Sequence, residues 1–546
     1  MRTPTAPRLL VVSCPDAPAS PVRVRQAAEH VWPTVDVVGE RVDVPATWLP
    51  TGAAATRTAR TARTLGRLLD RVRPDLVLVT GPVLADALGL LHRHRGLALP
   101  FALWDPDEPT DPTSTSGDLD TVLRRLAHTP PRPGPRRLPA SDALFAHVDT
   151  PAAPQHVGTV LLFDAGPDLT AEHAAGMLAG IPGALGRITA ATATRAARWV
   201  PVRGRDAASG VEVVSSPELG PQVDAFFSEP LRAGCAAGAM RLVTGLPDGR
   251  RALLVKLHHA LGDGMTVLQA LLSDTDDAGR LSWSSRPAPA VGGTGVPGLR
   301  AGAGTALAGL RRLAAGGRAP AAPTDGPVTT ARRHHALALL PGRAVRTRAN
   351  ALGASAAEFL LGVFAQAWHE TGLAGRAERF RLMVPWSVRG TGDLRTAGNQ
   401  TGAVPVDLPV GPMPLPGRVE RVAAELRSRT GGGVPEAASL VVQALGALPP
   451  PAHRAAARLM YRGGWFNAVG TVMPGPRREV RWHGAVMSVA YPVLSLAPGT
   501  GLAWGALTWG PWITLGLTAT PEWGGVADAV TDRMSALLAE HAGQRS

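Results

Sequence analysis

Residues 252–268 constrain the fold more than any other stretch, because the sequence pattern changes twice within them. The first six are almost all apolar, as in a buried strand, and they lead into the pair His258-His259. A turn containing Asp263-Gly264 follows, and apolar residues then return at helical spacing. The pattern therefore predicts a strand that places His259 at its end, and a helix that begins at Asp263-Gly264.

Those four residues are the candidate catalytic residues. A histidine is largely neutral near physiological pH, and a neutral imidazole can accept a proton from a hydroxyl. Asp263 can hold the loop, either by capping the helix or by pairing with an Arg, and Gly264 permits a turn that a side chain would obstruct. Most such pairs, taken alone, are structural histidines at a strand end, so the flanking sequence has to decide.

Two stretches with the composition of linkers divide the chain of 546 residues. Residues 105–137 are rich in Pro, Asp and Ser, and residues 286–330 are rich in Gly, Ala, Pro and Arg. They separate an N-terminal unit, residues 1–104, from two longer halves at 138–285 and 331–546.

The N-terminal unit alternates apolar runs with helical stretches, which predicts a small Rossmann-like α/β unit with a parallel sheet. No glycine-rich phosphate loop follows its strands, so its role stays open. In the last half, Gly- and Trp-rich runs predict strands, and a periodic segment predicts a closing helix. The predicted N-terminal strands are Leu9–Ser13, Val35–Val38, Leu76–Val79 and Phe101–Trp104; the later elements are His483–Tyr491, Gly501–Trp509, Ile513–Thr518 and the helix Val526–His541.

The net charge of +13 favours anionic partners, yet it does not indicate nucleic acid. Arg supplies all but one of the 56 basic residues, which is typical of a GC-rich coding sequence, and no basic arm with interleaved aromatic residues is present. We expect no nucleic-acid partner. The Arg-rich stretches Ala55–Val72 and Arg300–Arg318 are instead candidate surfaces for peripheral contact with an anionic membrane or lipid inclusion.

Cysteine content and hydropathy indicate the cellular compartment. Cys14 and Cys235 are too few for a disulfide framework or a zinc site, so we expect a reducing, cytoplasmic location and no metal or resident cofactor. No run of 18 apolar residues predicts a membrane span, and the apolar run before Cys14 is too short for an export signal. A second pair, His334-His335, lacks a following Asp-Gly, and we expect it to be solvated.

The segment His258-His259-x-x-x-Asp263-Gly264 resembles the HHxxxDG motif of the CoA-dependent acyltransferase superfamily. Flanking segments narrow the resemblance to the bacterial wax ester synthase/diacylglycerol acyltransferase family, whose signatures they match in order along residues 138–541. These segments are Leu138–Phe145 with His156–Gly158, Thr324–Val328, Val384–Arg389 with Gly398-Asn399, and Pro474–Pro476.

The resemblance implies an α/β fold of two chloramphenicol-acetyltransferase-like halves with a tunnel between them. It implies that His259 acts as general base on an acceptor hydroxyl, which attacks an acyl thioester without a covalent enzyme intermediate, while His258 and Asp263 mainly shape the loop. The implied reaction moves a fatty acyl group from acyl-CoA, a co-substrate, to diacylglycerol or a long-chain alcohol. Two alternatives stay open: an acyltransferase for a specialised metabolite that uses CoA or a carrier-protein thioester, and a catalytically lapsed lipid-binding relative.

The chain departs from the family signatures at several positions outside the histidine motif. An acidic residue after Pro-Leu is replaced by Arg232, and the Trp-containing stretch that follows is residues 236–240. Ala357-Glu358 stands where the family has Asn-Asp, and residues 471–473 lack the Asn that precedes Pro-Gly-Pro. These departures fall on substrate-binding and structural signatures rather than on the predicted base.

Overall fold

The computed structural model divides the chain into two compact units, residues 1–136 and 137–546, and each is described by itself. The residues that the structure describes are 135–202, 210–231, 235–277, 316–375, 377–387, 398–399, 401–431 and 434–539, the four strands of the N-terminal unit, and the single positions 24, 28, 65, 68, 281 and 311.

The N-terminal unit contains a four-stranded parallel sheet in the order β2-β1-β3-β4, as the alternating pattern predicts. Its central strands are almost fully buried because they are continuous runs of Leu and Val. Leu65 and Leu68 are helical and buried, whereas most of the Arg-rich stretch around them lies outside the described residues. The strands are β1 Arg8–Ser13, β2 Asp36–Arg41, β3 Leu76–Thr80 and β4 Phe101–Trp104.

From residue 136 onward the chain forms two large sheets and one small three-stranded sheet, together with the helices that pack against them. The elements up to the predicted crossover are β5 Arg136–Arg137, α1 Ala140–Val148, β6 His156–Phe163, α2 Ala171–Gly180, β7 Gly186–Thr189, β8 Arg198–Pro201, β9 Val211–Ser215, α3 Leu219–Ser228, β10 Gly238–Thr244, β11 Arg251–His258 and α4 Gly264–Leu272. Those after it are β12 His334–Pro341, α5 Gly342–Ala351, α6 Ala356–Glu370, β13 Arg379–Ser387, β14 Thr401–Pro409, α7 Leu415–Thr430, α8 Val434–Leu445, α9 Pro450–Met460, β15 Ala468–Met473, β16 Val480–Trp482, β17 Ala485–Val493, β18 Leu502–Trp509, β19 Trp512–Ala519 and α10 Gly524–Ala539.

The two larger sheets have six strands each, in the orders β16-β17-β6-β11-β10-β9 and β12-β19-β18-β15-β13-β14. The first is therefore built from both halves of the sequence, because β17 pairs antiparallel with β6. The sequence pattern assigns all of 331–546 to the C-terminal half, whereas residues 480–493 lie in the first sheet. Met487 and Ala490 join the core on one face of that sheet, and Val489 and Val493 join the core on the other. Because β17 buries apolar residues on both of its faces there, it is stable as a strand of the first sheet although its sequence belongs to the C-terminal half.

The C-terminal core is centred on α6, which is apolar on nearly every face and is buried along most of its length. Ser355 caps this helix, with the Glu358 side chain completing a capping box. In the part of the chain that the structure describes, no single helix is both long and apolar enough to cross a membrane; α5 and α6 together meet that test only across a bend of 95°.

The expectation that His334-His335 is a solvated pair is wrong. Both residues begin β12 at the junction with α3 and α10, and the imidazole of His335 is buried. His335 Nδ1 lies 2.9 Å from Asp224 Oδ1, and His334 Nε2 lies 2.9 Å from Asp528 Oδ1. Burial opposes protonation of His334, but the Asp528 and Asp224 carboxylates outweigh it and raise its pKa. The pair therefore joins the two halves.

Candidate active site

The predicted strand, turn and helix around the histidine motif are confirmed. β11 ends at His258, and residues 259–261 form one turn of 3-10 helix. The backbone N–H of His259 donates to the Gln155 carbonyl at 2.8 Å, which fixes the chain where it leaves the sheet. Asp263 is the N-cap of α4, since its Oδ1 accepts a hydrogen bond from the Thr266 N–H at 2.9 Å; the Thr266 hydroxyl lies 3.1 Å from the same oxygen.

His258 is a buried neutral side chain turned back onto its own loop. Its Nδ1 accepts a hydrogen bond from the backbone N–H of Ala260 at 3.0 Å, so the proton of the neutral ring is on Nε2. Nε2 lies 3.9 Å from Asp149 Oδ2, and Asp149 accepts the Gln155 N–H at 2.7 Å. Burial lowers the pKa of His258 to about 4. With Nδ1 bonded to its own loop and Nε2 facing Asp149 at the end of α1, this side chain suits a structural part in shaping the loop.

His259 lies against an aromatic ring. The Phe145 ring, carried on α1, stacks on the imidazole with the centroids 3.6 Å apart and the planes 5° from parallel. Burial lowers the pKa of His259 to about 4, although its own carbonyl, Asp263 and Asn399 act in the opposite direction. Nδ1 is buried and has no well-aligned hydrogen bond with any residue described. The predicted role of His259 as general base therefore falls to Nε2.

A buried bridge holds the His259 backbone from the other half. Asn399 Nδ2 donates to the His259 carbonyl at 2.8 Å and to Asp142 Oδ1 at 2.9 Å. The Asn399 backbone N–H donates to the same Asp142 oxygen at 2.8 Å, and the Thr266 hydroxyl donates to the Gly398 carbonyl at 2.9 Å. Gly398 has φ +93°, and an added Cβ would lie 3.1 Å from Asp142 Oδ2, so glycine suits this position.

Sequence reasoning missed the parts played by Asp142, Phe145 and Asn399. All three stand within segments that resemble family signatures, but nothing in their local pattern indicates that they meet at His259. Asp142 and Asn399 are 257 residues apart in the chain. Arg232, which stands where the family signature has an acidic residue, lies outside the described residues, as does most of the basic stretch Arg300–Arg318.

Gly264 serves a different purpose from the one predicted. It has helical geometry at the start of α4, and no positive φ demands glycine there. An added Cβ would instead lie 2.7 Å from the sulfur of Met473, at the end of β15. Met473 belongs to the segment 471–473 that departs from the family pattern, so this departure contacts the histidine loop directly.

The fold and the site together define a class: an acyltransferase-like α/β protein of two sheet-rich halves, with an HHxxxDG loop at the end of a central strand. Models of two family domains match this chain, the wax ester synthase/diacylglycerol acyltransferase catalytic domain at residues 218–351 and the WS/DGAT C-terminal domain at residues 397–540. The chain belongs to the wax ester synthase/diacylglycerol acyltransferase family.

Relatives and solved structures agree with that assignment. The protein described as a probable diacylglycerol O-acyltransferase, tgs1, of Mycobacterium tuberculosis is 26% identical over 283 residues, which are 47% of this chain. The match spans 60% of that relative's length. The wax ester synthase/diacylglycerol acyltransferase from Marinobacter aquaeolei VT8 aligns with a TM-score of 0.50 at 18% identity, over 75% of this chain and all of that one. The first condensation domain of the calcium-dependent antibiotic synthetase aligns with a TM-score of 0.50 at 19% identity, over 75% of this chain and 96% of that one. At these identities the two structures show the shared fold.

Proposed function

We propose that this protein is an O-acyltransferase that moves a fatty acyl group from acyl-CoA to the hydroxyl of diacylglycerol or a long-chain alcohol. The observation that carries the proposal is the place of His259: its neutral imidazole lies at the end of β11, between the two halves. The motif that contains it lies within the residues matched by the family's catalytic domain. The name of the mycobacterial relative and of the Marinobacter structure support the same substrates.

The geometry supports a direct transfer with one base. Nε2 of His259 accepts the proton of the acceptor hydroxyl while the hydroxyl oxygen forms its bond to the thioester carbonyl carbon. The tetrahedral intermediate then collapses, the C–S bond breaks, and the imidazolium returns the proton to the departing sulfur. Because burial disfavours the imidazolium, His259 is neutral at the start of each turnover and gives the proton back readily.

The net charge of +13 supports a further part of this proposal, reversible contact with an anionic membrane or lipid inclusion in the cytoplasm. The apolar substrates reside there, and each basic residue near such a surface contributes about 1 kcal/mol, which salt screens. Co-flotation with anionic vesicles at low but not at high salt is the expected result. Loss of binding at both salt concentrations would argue for an acceptor dissolved in water.

The deciding experiment is acyl transfer by purified protein, measured as free CoA thiol and as ester product. A panel of acyl-CoAs is combined with diacylglycerol, a long-chain alcohol and a non-lipid alcohol. We expect ester formation with a lipid acceptor, and a loss of about 10²–10⁴-fold in kcat for His259→Ala, the usual contribution of a general base. His173→Ala, which changes a half-buried histidine in the first turn of α2, is the matched control and should keep its activity.

Three results would contradict the proposal. Transfer only to the non-lipid alcohol would favour the specialised-metabolite alternative. Absence of transfer to every acceptor would favour the lapsed relative. Undiminished transfer by His259→Ala would show that His259 is not the base.

A further inference from the structure

The Phe145 ring is the flat surface on which the His259 imidazole rests. A centroid separation of 3.6 Å with planes 5° apart leaves no room for water between the two rings. On its other side Phe145 meets Tyr461 edge-on, at 5.7 Å and 75°, and Tyr461 in turn packs against the fully buried Phe466. Phe145 is thus confined between the histidine and a backing of aromatic side chains.

The helix that carries this ring is fixed relative to both halves. Asp142 lies three residues before Phe145 on α1, and its carboxylate holds Asn399, which in turn holds the His259 carbonyl. At the other end of α1, the Arg458 guanidinium donates to the His147 carbonyl at 2.9 Å. The ring and the backbone of the histidine are therefore tied to the same bridge, so neither can shift without the other.

We propose that Phe145 is a positioning residue for the transfer reaction: it holds the His259 imidazole in the plane from which Nε2 reaches the acceptor hydroxyl, and it keeps water from that face of the ring. This inference rests on the proposed function. The residue touches the base and not the reacting atoms, so its effect acts through His259 alone.

Protonation of the base is the property that such a ring controls. The groups that face His259 act in both directions: Asp263 on its own loop and Asn399 from the other half favour the charged ring, and His258 opposes it. Loss of water is the largest influence of all, and it lowers the pKa. Phe145 and Tyr461 supply apolar surface on the α1 side, and the Asp142 carboxylate is engaged by Asn399 there. Opening that side to water would therefore move the pKa of His259 back toward its ordinary value.

The test compares Phe145→Leu, which keeps apolar volume but loses the flat ring, with Phe145→Tyr, which keeps the ring. For Phe145→Leu we expect kcat to fall about tenfold with KM little changed, and the acidic limb of the kcat/KM profile to rise by about one pH unit toward the ordinary histidine range. Phe145→Tyr should keep the wild-type profile. Phe380→Leu removes a buried ring of the C-terminal core, where it packs on Trp368 and Phe364, and should leave the limb where it is.

A second measurement separates this inference from the proposed function. NMR titration of the His259 ring reports its pKa without any turnover, so the rise expected in Phe145→Leu is measurable even if no acceptor is found. Phe145→Met provides the same comparison should the leucine variant not fold. An unchanged titration of His259 in these variants, or a matching rise in Phe380→Leu, would overturn the inference.

Discussion

The bridge between Asp142 and Asn399 should couple the two halves energetically, and a double-mutant cycle measures how strongly. Asp142→Ala removes the carboxylate oxygen that accepts both Asn399 donors, at 2.8 and 2.9 Å. Asn399→Ala removes the amide that joins Asp142 to the His259 carbonyl but leaves the backbone N–H of residue 399 in place. The cycle therefore isolates the contact between the two side chains.

The magnitude follows from burial and charge. Both residues are at most 5% exposed, and the acceptor is a carboxylate, for which one hydrogen bond contributes about 1.5–3 kcal/mol. Asp142→Ala alone should lower the free energy of unfolding by more than the value of one hydrogen bond, because it leaves two buried donors of Asn399 without their acceptor. We expect a coupling energy of about 1.5–3 kcal/mol, because each single variant already lacks the contact between the two side chains and the double variant loses it only once.

The free energy of unfolding of the four proteins in urea gives this coupling, and kcat gives its consequence for the site. The expected result is that both single variants lose activity through a displaced His259, and that the double variant loses less than the sum of the two single losses. Stability losses that add to within about 0.5 kcal/mol would show that the two side chains do not act together.

Two further predictions concern the histidine loop. Gly264→Ala should destabilise the protein by about 1–3 kcal/mol, since the new Cβ would lie 2.7 Å from the Met473 sulfur. Adding Met473→Ala to this variant should restore the melting temperature. Equal melting temperatures for the single and double variants would refute the steric explanation. Acid should weaken the fold, because burial lowers the pKa of His258 from 6.5 to about 4 and the unfolded chain binds this proton first as the pH falls. For this group, the free energy of unfolding should drop between pH 6.5 and pH 4 by at most about 1.4 kcal/mol per pH unit. Urea titrations at pH 7 and pH 5 measure this dependence, and His258→Asn should reduce it. An equal loss of stability in the wild type and in His258→Asn would contradict the prediction.

Local signals sufficed for the strand, turn and helix of the motif. The apolar run of β11 and the capping aspartate of α4 are both short-range features, and the structure confirms them. The predicted strand His483–Tyr491 began in the wrong place, because His483 and Gly484 form the turn between β16 and β17. Both have positive φ, at 49° and 77°, as a two-residue hairpin loop requires, and His-Gly is not among the usual signals for one.

The site itself was only half predictable. The four motif residues lie within seven positions of one another, so their spacing predicts the loop, and the family resemblance implies which of them is the base. Asp142, Phe145 and Asn399 come from segments that meet only when the two halves pack together, and no periodicity connects them. The same limit explains His334, whose partners Asp224 and Asp528 lie on helices far from it in the chain.

The way the halves share the site makes its activity depend on their docking. The first half supplies His259 at the end of β11, and the second supplies Asn399, whose side-chain amide donates a hydrogen bond to the carbonyl of that histidine. β17 crosses from the second half into the first sheet, and His334 joins α3 to α10, so the interface is held at several separate points. A shift of one half against the other would pull on the histidine backbone through Asn399 and slide Phe145 across its ring. The interface therefore sets the geometry of His259, the proposed base, which is why residues that never approach a substrate should control the rate.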